Sequence, residues 1–211
     1  MVKSAEGSLE VQLEKVAKFY NDRFAIEGHS VKSVGWKDQA SQFLRFDMLF
    51  RDYDASGKTI LDVGCGLGDL YTFLSQKYGD TFHYIGIDIS ESLIQSAKEK
   101  HRAQNCEFFH SDISSFVRQQ PRSIDYAVES GMLSFKIDDN EAYAKAVMTE
   151  MFMIANDGAS LNFLSDQVDY QLDKNFHYDA CKVLAWVKGM TRNFNLYQDY
   201  PLWEFTVSLR K

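Results

Sequence analysis

Ile60-Leu61-Asp62-Val63-Gly64-Cys65-Gly66-Leu67-Gly68-Asp69 decides how this chain is read. Apolar residues lead into three glycines at alternate positions, and an amphipathic run follows. That order predicts a buried strand, a tight turn and a helix start. Without β-carbons, such a turn brings bare backbone N–H groups close to a ligand. A second apolar run, His83-Tyr84-Ile85-Gly86-Ile87, ends in Asp88, twenty residues past Gly68. An acidic residue at the tip of the second strand is placed to accept hydrogen bonds from both hydroxyls of a ribose. Glycine turn and ribose-reading carboxylate together imply a nucleoside-containing cofactor. Asp88 also stands where a cap belongs for the helix starting near Glu91, and the two roles are compatible.

The dinucleotide fingerprint is G-x-G-x-x-G, with a pyrophosphate on the helix N-terminus. Here the pattern is G-x-G-x-G, and Asp69 stands where the third glycine would fall. A carboxylate there repels a pyrophosphate, which opposes an NAD-dependent oxidoreductase. It suits a ligand with an amino group and no phosphate, such as S-adenosylmethionine (SAM). Three segments in order carry a family likeness: Leu61 through Gly68, Ile85-Gly86-Ile87-Asp88-Ile89-Ser90, and Phe109-His110-Ser111-Asp112-Ile113. On them the chain resembles the class I SAM-dependent methyltransferases. The resemblance implies cofactor contacts at Asp62, Gly64, Cys65, Gly66, Gly68, Asp88, Ile89, Asp112, Ile113 and Glu129, with S-adenosylhomocysteine (SAH) as product. Asp112 would meet the adenine amino group, or serve as a helix cap alone. Ile89 and Ile113 would sandwich the adenine ring, or be plain core.

Composition bounds the rest. The 211 residues suffice for one domain with a full core. An apolar content of 45% with 14% aromatics indicates a folded globule. A net charge of −7 argues against a broad nucleic-acid surface, leaving at most a local basic patch at Lys182, Lys188 and Arg192. Cys65, Cys106 and Cys181 have no metal or CxxC spacing and read as free thiols in a reducing compartment. The opening Met1-Val2-Lys3-Ser4-Ala5-Glu6-Gly7 lacks the apolar core of a signal peptide, and no run approaches membrane-spanning length. The expectation is a cytoplasmic protein with no membrane association. Oligomeric state is not encoded in any visible pattern.

Along the chain, two amphipathic helices are predicted over 9–24 and 37–53, forming a helical cap (1–55) ahead of a core (56–211) within a single domain, 1–211. Strands are expected at 59–63, 82–87, 107–110, 124–128 and 160–163, with helices at 69–77, 92–101 and 141–155. Such alternation predicts an α/β, Rossmann-like, mostly parallel sheet with helices on both faces. After a helix at 179–188, two stretches of period-two alternation flank Asp199-Tyr200-Pro201 and predict an antiparallel C-terminal strand pair. The resemblance implies seven strands, with the last inserted between the fifth and sixth.

Ligands in open α/β sheets bind beyond the C-terminal ends of the strands. The segment Val128-Glu129-Ser130-Gly131-Met132-Leu133-Ser134-Phe135 should therefore face the transferred methyl group. It lacks the Asn/Asp-Pro-Pro-aromatic motif of families that methylate amide or exocyclic amino nitrogens. The polar 165–179 segment is long enough to be functional. Methyl transfer from a sulfonium needs positioning and desolvation, and a base only where the acceptor must lose a proton. His177 is the first candidate base, with Glu129 and His29 behind it. Tyr20, Trp36 and Tyr178 are candidate walls of the site. Arg45 would bind an acceptor carboxylate, or else form an ion pair. No cluster has metal-ligand spacing. The reading is a SAM-dependent methyltransferase acting on a small molecule; a protein or RNA methyltransferase and a non-catalytic SAM-binding protein are the alternatives.

Overall fold

In the computed structural model, residues 5–120 and 122–211 are described. The first four residues, within the stretch expected not to be a signal peptide, lie outside the described residues, as does position 121. Two helices, α1 (Ala5–Glu27) and α2 (Gln39–Leu49), precede an alternation of strand and helix. It runs β1 (Thr59–Val63), α3 (Asp69–Tyr78), β2 (His83–Asp88), α4 (Glu91–Lys100), β3 (Cys106–His110), α5 (Ile113–Gln119), β4 (Ile124–Glu129), α6 (Asn140–Ile154) and β5 (Ala155–Leu164). The tail is α7 (Ala180–Lys188), β6 (Phe194–Tyr197) and β7 (Glu204–Arg210).

The seven strands form one sheet in the order β3-β2-β1-β4-β5-β7-β6. The first five are parallel, and β7 runs antiparallel between β5 and β6. This is the α/β architecture expected, with the last strand inserted before the sixth. Successive side chains of a strand point to opposite faces. On β1, Leu61 and Val63 join a core formed with α5, α6 and α7, while Ile60 joins a core formed with α2, α3 and α4. Covering both faces is why β1 and β4 are buried almost throughout. Strand order reverses between β1 and β4, so a crevice opens beyond their carboxyl ends.

Short polar side chains start the helices. Asp38 Oδ1 accepts the Ser41 N–H at 2.8 Å, Asp112 Oδ1 the Ser115 N–H at 2.9 Å, and Asp139 Oδ1 the Ala142 N–H at 3.0 Å. Ser90 caps α4, accepting the Leu93 N–H at 3.3 Å. Helix α1 packs on α4, where Ser90 Oγ donates to Asn21 Oδ1 at 2.6 Å. That contact lays α1 over the crevice, with Val16 buried beneath it.

Three elements differ from expectation. Helix α5 follows Asp112 although its seven residues carry little periodicity of their own. Strand β5 begins at Ala155 instead of 160, directly where α6 ends. Its polar opening, Asn156-Asp157-Gly158, hides the strand from a hydrophobicity reading. Gly158 belongs to it because a β-carbon there would sit 2.0 Å from the Leu209 carbonyl oxygen of β7. A 3₁₀ turn at Met132–Ser134 tightens the segment after β4.

Candidate active site

The glycine turn after β1 is held by its own backbone. The Gly64 and Cys65 N–H groups both donate to the Ile87 carbonyl, at 2.8 and 3.0 Å, and the Gly68 N–H donates to the Cys65 carbonyl at 2.9 Å. The Gly66 N–H donates to Asp88 Oδ2 at 2.9 Å. These four donors are thus spent inside the protein, contrary to the expectation that the turn offers bare N–H groups. A phosphate needs such donors; a ligand that only needs close approach does not. Gly66 shows the steric demand: its φ is +54°, and a β-carbon would meet Val34 Cγ1 at 2.8 Å. Cys65 is a buried small residue, and its thiol is pushed up by burial.

Around the turn lies a cleft with about 900 Å³ of empty space, counting the solvent at its mouth. Asp62, Gly64, Cys65, Gly66, Asp88, Ile89, Asp112 and Ile113 all line it; Gly68 and Glu129 stand beside the lining residues. Asp88 also accepts the Ser90 N–H at 2.8 Å, so both of its oxygens are oriented by backbone. Each still has a second lone pair for a hydroxyl. Burial raises the Asp88 carboxyl, and the N–H groups of Ser90 and Gly66 oppose the rise. Asp112 accepts both the N–H and the hydroxyl of Ser115 and lines the cleft as well, so its capping role is realised without removing it from the site. Asp69 also lines the cleft, with its charge answered by Lys100 at 2.6 Å and by the Gln42 amide at 3.1 Å.

Two carboxylates are buried at the strand tips. Burial pushes Asp62 up to about 7, against the Tyr84 hydroxyl that donates to it at 2.6 Å. Burial likewise lifts Glu129 to about 7, opposed by the charge of Arg45. Glu129 Oε1 accepts the Leu133 N–H at 3.2 Å, while its Oε2 and the neighbouring Ser130 Oγ are buried with no hydrogen-bond partner among the described residues. Unsatisfied buried oxygens are costly and point to a missing donor.

A second cavity, about 700 Å³, adjoins the first; Tyr20, Val34, Trp36 and Gly131 line both. Burial raises the Tyr20 phenol to about 12. Arg45 lines the second cavity, where its guanidinium grips Glu204 through two bonds, one of 2.9 Å from Nε to Oε1, beneath the Trp36 ring at 4.0 Å. Its ion-pair reading is therefore realised, buried between the cap and β7.

His177 and Tyr178 are corrected by the fold. Neither lines either cavity. The 165–179 segment folds back so that Ser165 bridges Tyr178, and His177 Nδ1–H donates to the Ser165 carbonyl at 2.7 Å. Tyr178 is 2% exposed, packs on Phe163 and Phe176, and donates to the Leu133 carbonyl at 2.9 Å. His29 is tied to Ser96 Oγ at 3.1 Å and also lies outside the cavities. Tyr143 of α6, Gln42, Arg23 and Lys174 line the cavities without having been singled out. Nothing local marks them; only the docking of α1, α2 and α6 on the sheet and the fold-back of the loop after β5 bring them there. Among the described residues no three His, Cys, Asp or Glu side chains gather to hold a metal, and no helix is long and apolar enough to cross a membrane.

A family profile described as "Methyltransferase domain" matches residues 54–199. The chain belongs to that family. This methyltransferase chain is 28% identical over 121 residues to a 2-phytyl-1,4-naphtoquinone methyltransferase of Nostoc punctiforme, covering 57% of the chain and 41% of that protein. It is 32% identical over 81 residues to a trans-aconitate 2-methyltransferase of Yersinia pestis, covering 38% of the chain and 30% of that protein. The matches span less than half the length of these relatives. Among solved structures, the magnesium protoporphyrin IX methyltransferase of Synechocystis with bound SAM aligns at a TM-score of 0.65 and 17% identity, covering 94% of this chain and 96% of that one. At that identity the likeness speaks for the fold.

Proposed function

We propose that the chain transfers a methyl group from SAM to a small-molecule acceptor. The observation that carries the reading is the pair of orphaned buried oxygens, Glu129 Oε2 and Ser130 Oγ, at the lip of a cleft whose glycine turn keeps its own N–H donors. The residues present fit SAM. The ammonium of its methionine tail would satisfy the orphaned oxygens. Asp88 would hold the ribose, and Ile89, Asp112 and Ile113 the adenine. When bound, SAM supplies an electrophilic methyl group on a sulfonium.

The chain's own contribution is positioning and desolvation. Helix α1 and the 31–36 segment close over the crevice, excluding water. Tyr20 and Trp36 stand where the two cavities meet and would orient the acceptor. Tyr20, with its phenol raised to about 12, stays protonated at neutral pH and acts there as a hydrogen-bond donor. With His177 and His29 outside the cavities and Glu129 given to the cofactor's ammonium, none of the three candidate bases faces the acceptor, which favours acceptors that attack without prior proton removal or carry a nucleophile already ionised. The net charge of −7 and an acceptor cavity partly covered by α1 and the 31–36 segment support a small molecule over nucleic acid.

Thermal unfolding with SAH, SAM and NAD, each at about 100 times its dissociation constant, tests the reading. Binding at that excess adds about 2.7 kcal/mol, a shift on the order of 5–10 °C at this size. A shift with SAH and SAM and none with NAD is expected; a shift with NAD alone overturns it. Release of SAH in the presence of an acceptor distinguishes an enzyme from a binding protein.

A further inference from the structure

The second cavity has a charge opposite to that of the protein. Its lining contains Arg23, Arg45 and Lys174 and not one carboxylate, in a chain of net charge −7. Arg45 is neutralised by Glu204 behind the wall. Arg23 and Lys174 form no ion pair among the described residues. The Arg23 Nε donates to the Lys32 carbonyl, which fixes the guanidinium in place while its terminal nitrogens make no further hydrogen bond among the described residues. The Lys174 ammonium lies 5.9 Å from the Phe19 ring centre. Phe19, Tyr20 and Phe135 pack against one another, with ring centres 5.2 to 6.4 Å apart, and give the same cavity an aromatic wall.

We propose that the acceptor is an aromatic or largely apolar molecule bearing a carboxylate, and that Arg23 and Lys174 hold that carboxylate. The inference rests on the methyltransferase reading above and names its substrate class. Two cations lining one cavity offer an anion charge-assisted bonds, which are the strong ones. The arrangement also orients the acceptor. Neither Arg23 nor Lys174 lines the cofactor cleft, whereas Tyr20, Val34, Trp36 and Gly131 line both cavities. The carboxylate is therefore an anchor at the far side, and a different atom of the acceptor faces the cofactor. Arg45, held by Glu204, shapes the wall and does not serve as the anchor.

Isothermal titration of SAH-saturated protein tests this with matched probes: 4-hydroxybenzoate and indole-3-acetate against 4-hydroxybenzamide and indole-3-acetamide. The acids should bind at least about tenfold tighter than the amides, by the usual size of hydrogen bonds to charged groups. That preference should shrink between roughly 50 and 500 mM salt. Arg23→Gln and Lys174→Gln should each weaken acid binding by about tenfold, and the double variant should remove the preference while keeping the SAH-induced melting shift. Amides that bind as tightly as acids, a preference that survives in the double variant, or a cavity that takes neither probe would overturn the proposal. Loss of SAH binding by the unaltered protein is a separate result and overturns the underlying reading.

Discussion

Replacing Glu204 by Gln should cost the fold more than its single atom suggests. Glu204 is 2% and Arg45 9% exposed at the side chain, so the pair sits almost out of water. Gln keeps the shape and one acceptor but loses the charge, leaving the guanidinium buried without its ion-pair partner. Breaking such a pair from one side costs about 3–5 kcal/mol. The Trp36 ring at 4.0 Å continues to stabilise the cation, so the low end, about 3 kcal/mol, is expected. At about 2–4 °C per kcal/mol for a domain of this size, the melting temperature should fall by about 6–12 °C. Replacing both partners by apolar residues of similar volume, Arg45→Met with Glu204→Leu, should restore most of that loss, to within about 1 kcal/mol of the starting protein. Urea unfolding of Arg45→Met, Glu204→Leu and the double variant measures the coupling. A loss below about 1 kcal/mol in Glu204→Gln, or a double variant no more stable than the single, would refute the claim that this pair is buried and that its members depend on each other.

Gly66→Ala should lower stability by about 1–2 kcal/mol from its left-handed backbone alone, and displacement of Val34 should weaken SAH binding by about tenfold or more, read by titration; unchanged affinity would show the turn tolerates the methyl group. Glu129, raised by burial from its ordinary 4.5 to about 7, holds its proton better folded than unfolded. Its contribution to stability is therefore full below about 4.5 and is lost as pH rises through about 7. Melting curves across that window should flatten in Glu129→Gln, and a slope that persists unchanged would assign the titration to another group, Asp62 first. SAH binding should release a proton near neutral pH if the cofactor's ammonium ionises Glu129; calorimetry in buffers of different ionisation heat reads this. His177→Ala, outside both cavities, should leave kcat/KM within about twofold, as for substitutions away from a site; a loss of two orders of magnitude would return His177 to the chemistry.

The parallel core was legible because its signals are local. Gly64, Gly66 and Gly68 follow an apolar strand, Asp88 ends another, and period-two alternation marks β6 and β7. The start of β5 was not, since Ala155 and Gly158 join the sheet by pairing with distant β4 and β7 while Asn156 and Asp157 fall in the register break between them. That the residues expected to hold the cofactor gather in one cleft was legible for the same reason: they sit on strand tips and the turns after them. The acceptor side comes from α1, the 31–36 segment, α2 and the loops after β4 and β5, so its members share no spacing. His177 and Tyr178 were misplaced because a polar, aromatic loop looks alike whether it faces a ligand or folds back on its own stem. Arg45 offered two partners to a sequence reader, and only the approach of β7 chose Glu204.

The insertion of β7 between β5 and β6 has a consequence for how the chain is made. Residues 204–210 fill an interior position of the sheet although β5 ends 40 residues earlier, at Leu164. At a synthesis rate of about 5–20 residues per second, β5 emerges from the ribosome about 2–8 s before its antiparallel partner begins. During that interval its far edge, Ala159, Leu161 and Phe163 among it, has nothing to pair with. The nascent protein thus carries an open, apolar strand edge that its own later segment must claim before another chain does. Crowded or chaperone-poor expression should lose this protein to aggregation at that stage rather than after folding is complete.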